Sequence, residues 1–179
     1  MSKGNNILVG THPRGRFEEG ILSDTNSSTP KPGTVMEFVR SQTQDGTGRW
    51  EWDVFGADAA SSNNGVAADG DQRMIAVLLE DSNQGKTADT AYAASTATSK
   101  TRLPLYFPIM GEELNMIFEN ISGTGADQDV AVGDQLIVDN GTGKLLVAAG
   151  SDESEPFISM EALTDIMADT LTHVKFTGY

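Results

Sequence analysis

The sequence predicts an all-β fold, a small β-barrel or β-sandwich with an extended N-terminal arm and long polar loops. Three observations lead there. Short apolar and β-branched runs recur along the chain, separated by clusters of Gly, Asn, Asp and Ser. The run from Arg49 to Phe55 alternates with a period of two, placing Trp50, Trp52 and Val54 on one face and Arg49, Glu51 and Asp53 on the other. Asn140-Gly141 stands between two apolar runs, a strong short-range hairpin signal.

Taken in order, residues 1–33 are small, polar and turn-forming, with Pro13, Pro30 and Pro32 and a Ser/Thr/Asn/Asp cluster from Ser23 to Thr29. They predict an extended arm and not a packed element. Arg14, Arg16 and Phe17 concentrate positive charge and an aromatic there, in a chain otherwise acidic. Such an arm is either a solvated tail or a segment that orders on a neighbouring subunit. Residues 34–179 then form a single β-rich domain.

Within that domain residues 34–40 and 49–55 predict two strands, joined by a hairpin loop over 43–48. Residues 58–71 are too polar to pack and predict a surface loop. Residues 73–80 carry the first long apolar run, a buried strand. From 81 to 99 the chain is again small and polar, and Ala88 to Ala97 fits a helical turn or an irregular strand equally. Residues 103–110 predict an edge strand, because Pro104 and Pro108 cannot donate to a ladder. Further strands are expected at 113–119, 134–139, 144–148, 157–163 and 171–176, with a brief helix over 165–169. No internal repeat is present.

Composition narrows the function. The apolar fraction is 38%, below the globular average of about 45–50%, so the core is thin and gains from a partner. Zero cysteines remove disulfides, thiolate metal sites and cysteine nucleophiles together. The only histidines, His12 and His173, lie at opposite ends of the chain, so a zinc site or His-dependent triad would need assembly from distant parts. A net charge of −14 opposes binding to nucleic acid, which needs clustered Lys and Arg. Residues 1–10 hold no secretion h-region, and no apolar run approaches the roughly 20 residues that span a bilayer. A soluble, cytoplasmically made chain is expected, and the sequons at Asn26 and Asn120 are then chance matches.

Motifs that could carry chemistry are each incomplete. Gly85-Lys86-Thr87 follows a strand as in a phosphate-binding loop, but Glu80 stands at the first glycine position and Asp81 follows, where carboxylates repel phosphate. Gly141-Thr142-Gly143-Lys144 lacks the hydroxyl that holds the metal, since Leu145 comes next. Asp69-Gly70-Asp71 hints at calcium, yet Ala67 and Gly65 offer no side-chain oxygens at the earlier ligand positions. Glu112 and Glu113 are adjacent and point to opposite faces of a strand, and Glu153 and Glu155 sit in an acidic turn, so neither pair predicts acid/base catalysis. Trp50 and Trp52 share a face; core packing is the ordinary reading, and stacking on sugar rings is the alternative. The chain therefore predicts no catalytic, cofactor-binding or metal-binding residues and no cofactor.

The order of segments resembles the capsid decoration (cement) proteins of tailed bacteriophages. The similar pieces are the arm followed by Pro32-Gly33-Thr34-Val35, the stretch from Val77-Leu78-Leu79 to Lys86-Thr87, and residues 103–111. Toward the end come Val132-Gly133-Asp134-Gln135-Leu136, the turn Thr142-Gly143-Lys144-Leu145, then Phe157-Ile158-Ser159-Met160-Glu161-Ala162 and Val174-Lys175-Phe176. The resemblance implies a non-enzymatic virion protein on the outer capsid surface, a homotrimer at three-fold or quasi-three-fold positions that clamps major-capsid subunits. It carries no site residues over. The chemistry of the arm makes Arg14, Arg16 and Phe17 the expected contacts with the capsid or a neighbouring copy. The rival reading is a carbohydrate-binding module on a virion or cell surface using Trp50 and Trp52. The long polar segments between Asp58 and Ser99 depart from shorter members of the family.

Overall fold

The computed structural model describes residues 7–9, 14–25, 27–39, 48–56, 74–119, 128–139, 141–148, 156–166 and 169–178. Their regular secondary structure is nearly all strand, with one short 3-10 turn, as the pattern predicts.

Five strands close into a barrel: β1 (Arg16–Leu22), β2 (Val35–Phe38), β3 (Glu51–Val54), β4 (Ile75–Leu78) and β5 (Arg102–Phe107), in the order β1-β3-β2-β4-β5. β1 runs parallel to β3, pairing Ile21 with Glu51 and Leu22 with Trp52. Against β5 it is antiparallel, from Arg16 opposite Phe107 to Ile21 opposite Arg102. The interior is filled by Leu22, Met36, Trp52, Ala76, Leu78, Leu103 and Leu105, with Tyr92 closing over them. Period-two alternation sends these side chains inward. Gly20 faces the same space, and a Cβ there would lie 2.4 Å from Cδ1 of Trp52, so the indole occupies the room that the glycine vacates.

Here the structure differs from two expectations. Residues 16–22, expected within an arm, are a barrel strand whose last three residues are buried. Their pattern was hidden because Glu18, Glu19 and Gly20 interrupt the apolar run. Nor is β5 an edge, since it pairs with both β1 and β4. Pro104 lacks an N–H but still accepts from Leu79 N at 2.9 Å, and Pro108 lies beyond the strand.

The second layer is a five-stranded sheet of β6 (Glu113–Ile117), β8 (Gln135–Val138), β9 (Leu145–Val147), β10 (Phe157–Ser159) and β12 (Leu171–Phe176), ordered β6-β12-β10-β8-β9. Leu114, Met116, Leu136, Phe157 and Val174 from this sheet pack on Val35, Val77 and Tyr106 from the outside of the barrel, forming the larger core. β7 (Gln128–Val130) and β11 (Leu163–Ile166) make a separate pair. The helix expected over 165–169 does not form where described: Ile166 ends β11, and Asp169 sits at φ 65°. The expected strand over 157–163 divides into β10 and the start of β11.

The predicted hairpin is present, with Val138 opposite Leu145 and Asp139 N bonded to Lys144 O at 2.7 Å. Its tip reaches the barrel through Gly141 N to Phe55 O and Val35 N to Gly143 O, each 2.8 Å. Lys144 then bridges Glu119 at 2.7 Å and Asp169 at 2.9 Å, and Lys31 reaches Asp169 at 2.6 Å. The segment 81–99, open in the sequence, holds a 3-10 turn at Ser82–Gln84 and short bridges, not a longer helix. The loops expected at 43–48 and 58–71 lie almost wholly outside the described residues.

Candidate protein-binding corner

The β5–β6 turn sets the geometry. After Phe107 the chain turns through Ile109 to Gly111, with Gly111 at φ 91° and Glu112 N bonded to Ile109 O at 3.1 Å. This tight turn aims the Glu112 side chain back into the fold, where Glu112 is 9% exposed.

Four donors surround that carboxylate. Tyr106 Oη donates at 2.7 Å, Ile109 N at 2.9 Å, Arg14 N at 2.5 Å and Gly15 N at 3.1 Å. The Gly15 N–H also reaches Tyr106 Oη at 2.7 Å. Burial by itself would raise the Glu112 pKa, but these donors together hold it below the ordinary carboxylate value. Burial and the neighbouring Glu112 charge push the Tyr106 hydroxyl up to about 12. At neutral pH the pair is therefore a carboxylate and a neutral phenol. Gly15 is required by close approach, because a Cβ there would lie 2.2 Å from Phe107 O.

On this support stand the residues singled out in the sequence. Phe17 lies opposite Tyr106 in the β1–β5 ladder, ring centroids 4.9 Å apart, and is 55% exposed. Arg14 and Arg16, close by in the chain, are exposed, and Arg16 is paired with Glu18. Ile109 and Met110, carried by the same turn, are also exposed apolar residues. Arg14, Arg16 and Phe17 thus lie at the start of β1, anchored to a strand and not to a free arm, with Arg16 on the strand face opposite Phe17. Sequence reasoning missed Tyr106, Ile109, Met110 and the caged role of Glu112. The one local signal was the Pro108-to-Gly111 turn that precedes the acid.

Glu113 turns away from Glu112 and meets His173 Nε2 at 3.0 Å, so the two acids do not converge. His12, Asp69, Gly70, Asp71, Glu153 and Glu155 lie outside the described residues. In Gly85-Lys86-Thr87, Lys86 Nζ donates to Ala91 O at 2.6 Å and sits over the Tyr92 ring. The turn's N–H groups at Asn83 and Gln84 are given to the Asp81 carboxylate at 2.9 and 3.3 Å, which takes the place a phosphate would need. Among the described residues, no group of three or more His, Asp or Glu could hold a metal ion.

The two indoles separate. Trp52 is 2% exposed inside the barrel, edge-on to Phe38 at 5.7 Å and to Phe107 at 5.5 Å. Trp50 lies just before β3, 44% exposed and edge-on to Phe38 at 5.3 Å. A sugar ring reaches only Trp50, so the two-indole platform does not form.

No family model matches the chain, and no curated protein matches it.

Proposed function

We propose that this chain is a non-enzymatic binding protein that decorates the outer surface of a tailed-bacteriophage capsid and stabilises the head by bridging major-capsid subunits. The resemblance in segment order carries the capsid part of this reading. The observation that supports binding is the corner itself: an exposed Phe17 packed on Tyr106, which Glu112 fixes by a hydrogen bond, with the exposed Arg14 and Arg16 close by in the chain.

Aromatic and arginine side chains dominate the energetics of protein interfaces. Held rigidly before contact, they lose less freedom on binding, which leaves more of the contact energy as affinity. A thin core fits the same role, since a partner that binds only the folded form stabilises it by mass action.

The test is the mass of the purified chain with and without empty capsid shells of the phage that encodes it. The expected result is a trimer, or a monomer that trimerises on shells at a fixed ratio. Phe17→Ala should then lower shell occupancy while leaving the unfolding midpoint within error, because the ring is more than half exposed. A wild-type chain that ignores shells overturns the capsid reading; full occupancy by Phe17→Ala overturns the assignment of the corner. Deleting residues 1–17 is a poorer test, because it cuts into β1.

A further inference from the structure

The two ends of the barrel differ. Beyond the end of β4, Tyr92 lies over the interior, its hydroxyl donating to Leu79 O at 3.0 Å. At the other end, alternation from the interior residues Met36, Trp52, Ala76, Leu105 and Gly20 gives the inward-facing positions to Phe38, Trp50, Met74, Phe107, and Glu18 with Arg16. Phe38 and Phe107 meet the Trp52 ring edge-on and are half-buried, so they floor this mouth. Trp50 and Met74 stand above them, 44% and 54% exposed.

The Trp50 ring is positioned in advance. Its carbonyl accepts from Ile21 N at 3.1 Å, and the ring stands at 71° to Phe38, centroids 5.3 Å apart. In that geometry Phe38 covers at most one face of the indole. The β1–β3 register, with Ile21 opposite Glu51, sets Gly20 beside Trp50 and Glu18 diagonal to it on the same inward face. Arg16 pairs with Glu18, and on the outer side of the same strands Glu19 meets Arg49 and, at 3.8 Å, Arg102. Both carboxylates thus already face guanidinium groups, so a cationic ligand gains little from them. The net charge of −14 repels an anionic ligand.

We propose that this mouth of the barrel binds a neutral saccharide, one sugar ring lying on the free face of Trp50 beside Met74, with its hydroxyls bonded to Glu18 and Arg16. A carboxylate that only accepts and a guanidinium that only donates together match hydroxyl groups, which do both. The C–H face of a sugar ring matches the indole. Mouths of β-barrels with an apolar lining and a few polar groups are recurrent ligand sites, and a ring held before contact loses little freedom on binding. One indole serves one ring, while Trp52 supports the floor. The inference is independent of the capsid reading.

The test is calorimetric titration of the full-length protein with cellohexaose, maltohexaose, chitohexaose and mannohexaose, with a heparin hexasaccharide as the anionic control. The expected result is binding of at least one neutral member and none of heparin. Trp50→Ala, whose half-exposed ring lies outside the packed interior, should keep the wild-type unfolding midpoint and weaken that binding about ten-fold or more. Arg16→Ala should weaken it by a smaller factor. Equal affinity in wild type and Trp50→Ala overturns the proposal, as does binding of heparin alone, which would mark a site for charge. Binding of no neutral member also overturns it; a change in the mass of the protein in solution on Trp50→Ala would then assign the mouth to contact with a second copy.

Discussion

The Tyr106 hydroxyl donates to the Glu112 carboxylate at 2.7 Å while accepting from the Gly15 N–H at the same distance. One phenol thereby ties the start of β1 to the β5–β6 turn. Because Tyr106 is fully buried and Glu112 nearly so, this bond also fixes how the corner responds to substitution and pH.

Glu112→Gln should destabilise the protein by about 2–3 kcal/mol, since a buried charged acceptor is lost and the amide NH2 must face donors that have nowhere else to turn. Urea unfolding checks this through a lower midpoint at unchanged slope. A midpoint equal to wild type would show that the cage contributes nothing.

The pH dependence has a definite sign at both ends. The folded-state pKa of Glu112 lies below 4.5, so its contribution is complete above that value and fades as pH falls through the folded pKa. The folded-state pKa of Tyr106 is raised from 10.0 to about 12, so its contribution is complete below pH 10 and is lost as pH rises toward 12. Melting temperature against pH should therefore fall at both extremes. The gap between wild type and Glu112→Gln should close as pH drops below 4. A gap constant down to pH 2 would contradict this.

The two tryptophans should behave oppositely. Trp52→Ala empties the barrel interior and should cost about 3–5 kcal/mol, whereas Trp50→Ala should cost under about 1 kcal/mol. Acrylamide should quench the fluorescence of Trp50 and spare that of Trp52, read in the two single-tryptophan Trp→Phe variants. Equal quenching of both would place Trp52 outside the barrel.

Gly20→Ala should cost about 1–3 kcal/mol, because the added methyl meets the indole of Trp52 and the Leu105 side chain at under 3.0 Å. Thermal unfolding followed by tryptophan fluorescence reports both the loss of stability and the displaced ring. A neutral result would mean that the indole moves freely.

Lys144→Ala should cost about 1 kcal/mol, with a smaller loss in 1 M salt, because the lysine is partly exposed and joins two carboxylates from separate elements. Denaturant midpoints at low and high salt measure both numbers. A loss independent of salt would assign the effect to packing of the lysine stem.

Where the chain speaks locally, sequence and structure agree. The alternation of Leu171, His173 and Lys175 against Thr172, Val174 and Phe176 reappears as half-exposed and buried faces of β12. Asn140-Gly141 marks the β8–β9 hairpin, because strand pairing across a short loop depends on few residues. β1 went unread because three polar or small residues interrupt it, and its partners lie about 30 residues ahead on β3 and about 80 to 90 ahead on β5. The corner was half legible. Arg14, Arg16 and Phe17 stand out as a basic-aromatic group in an acidic chain, while their support from Tyr106 and Glu112 comes from residues some 90 to 100 positions away.

By itself the sequence determined that this protein is built of short strands and where most of them lie, and for β12 which side chains turn inward, since a period of two is written within a few neighbouring residues. Only the tertiary structure decided that five strands close into a barrel, that Trp52 and not Trp50 fills it, and that Glu112 is a caged anchor and not half of an acidic pair. Those outcomes depend on which distant segments meet. Closure joins residues whose separation along the chain no local pattern records, and the environment of a buried carboxylate is set by the donors that arrive around it.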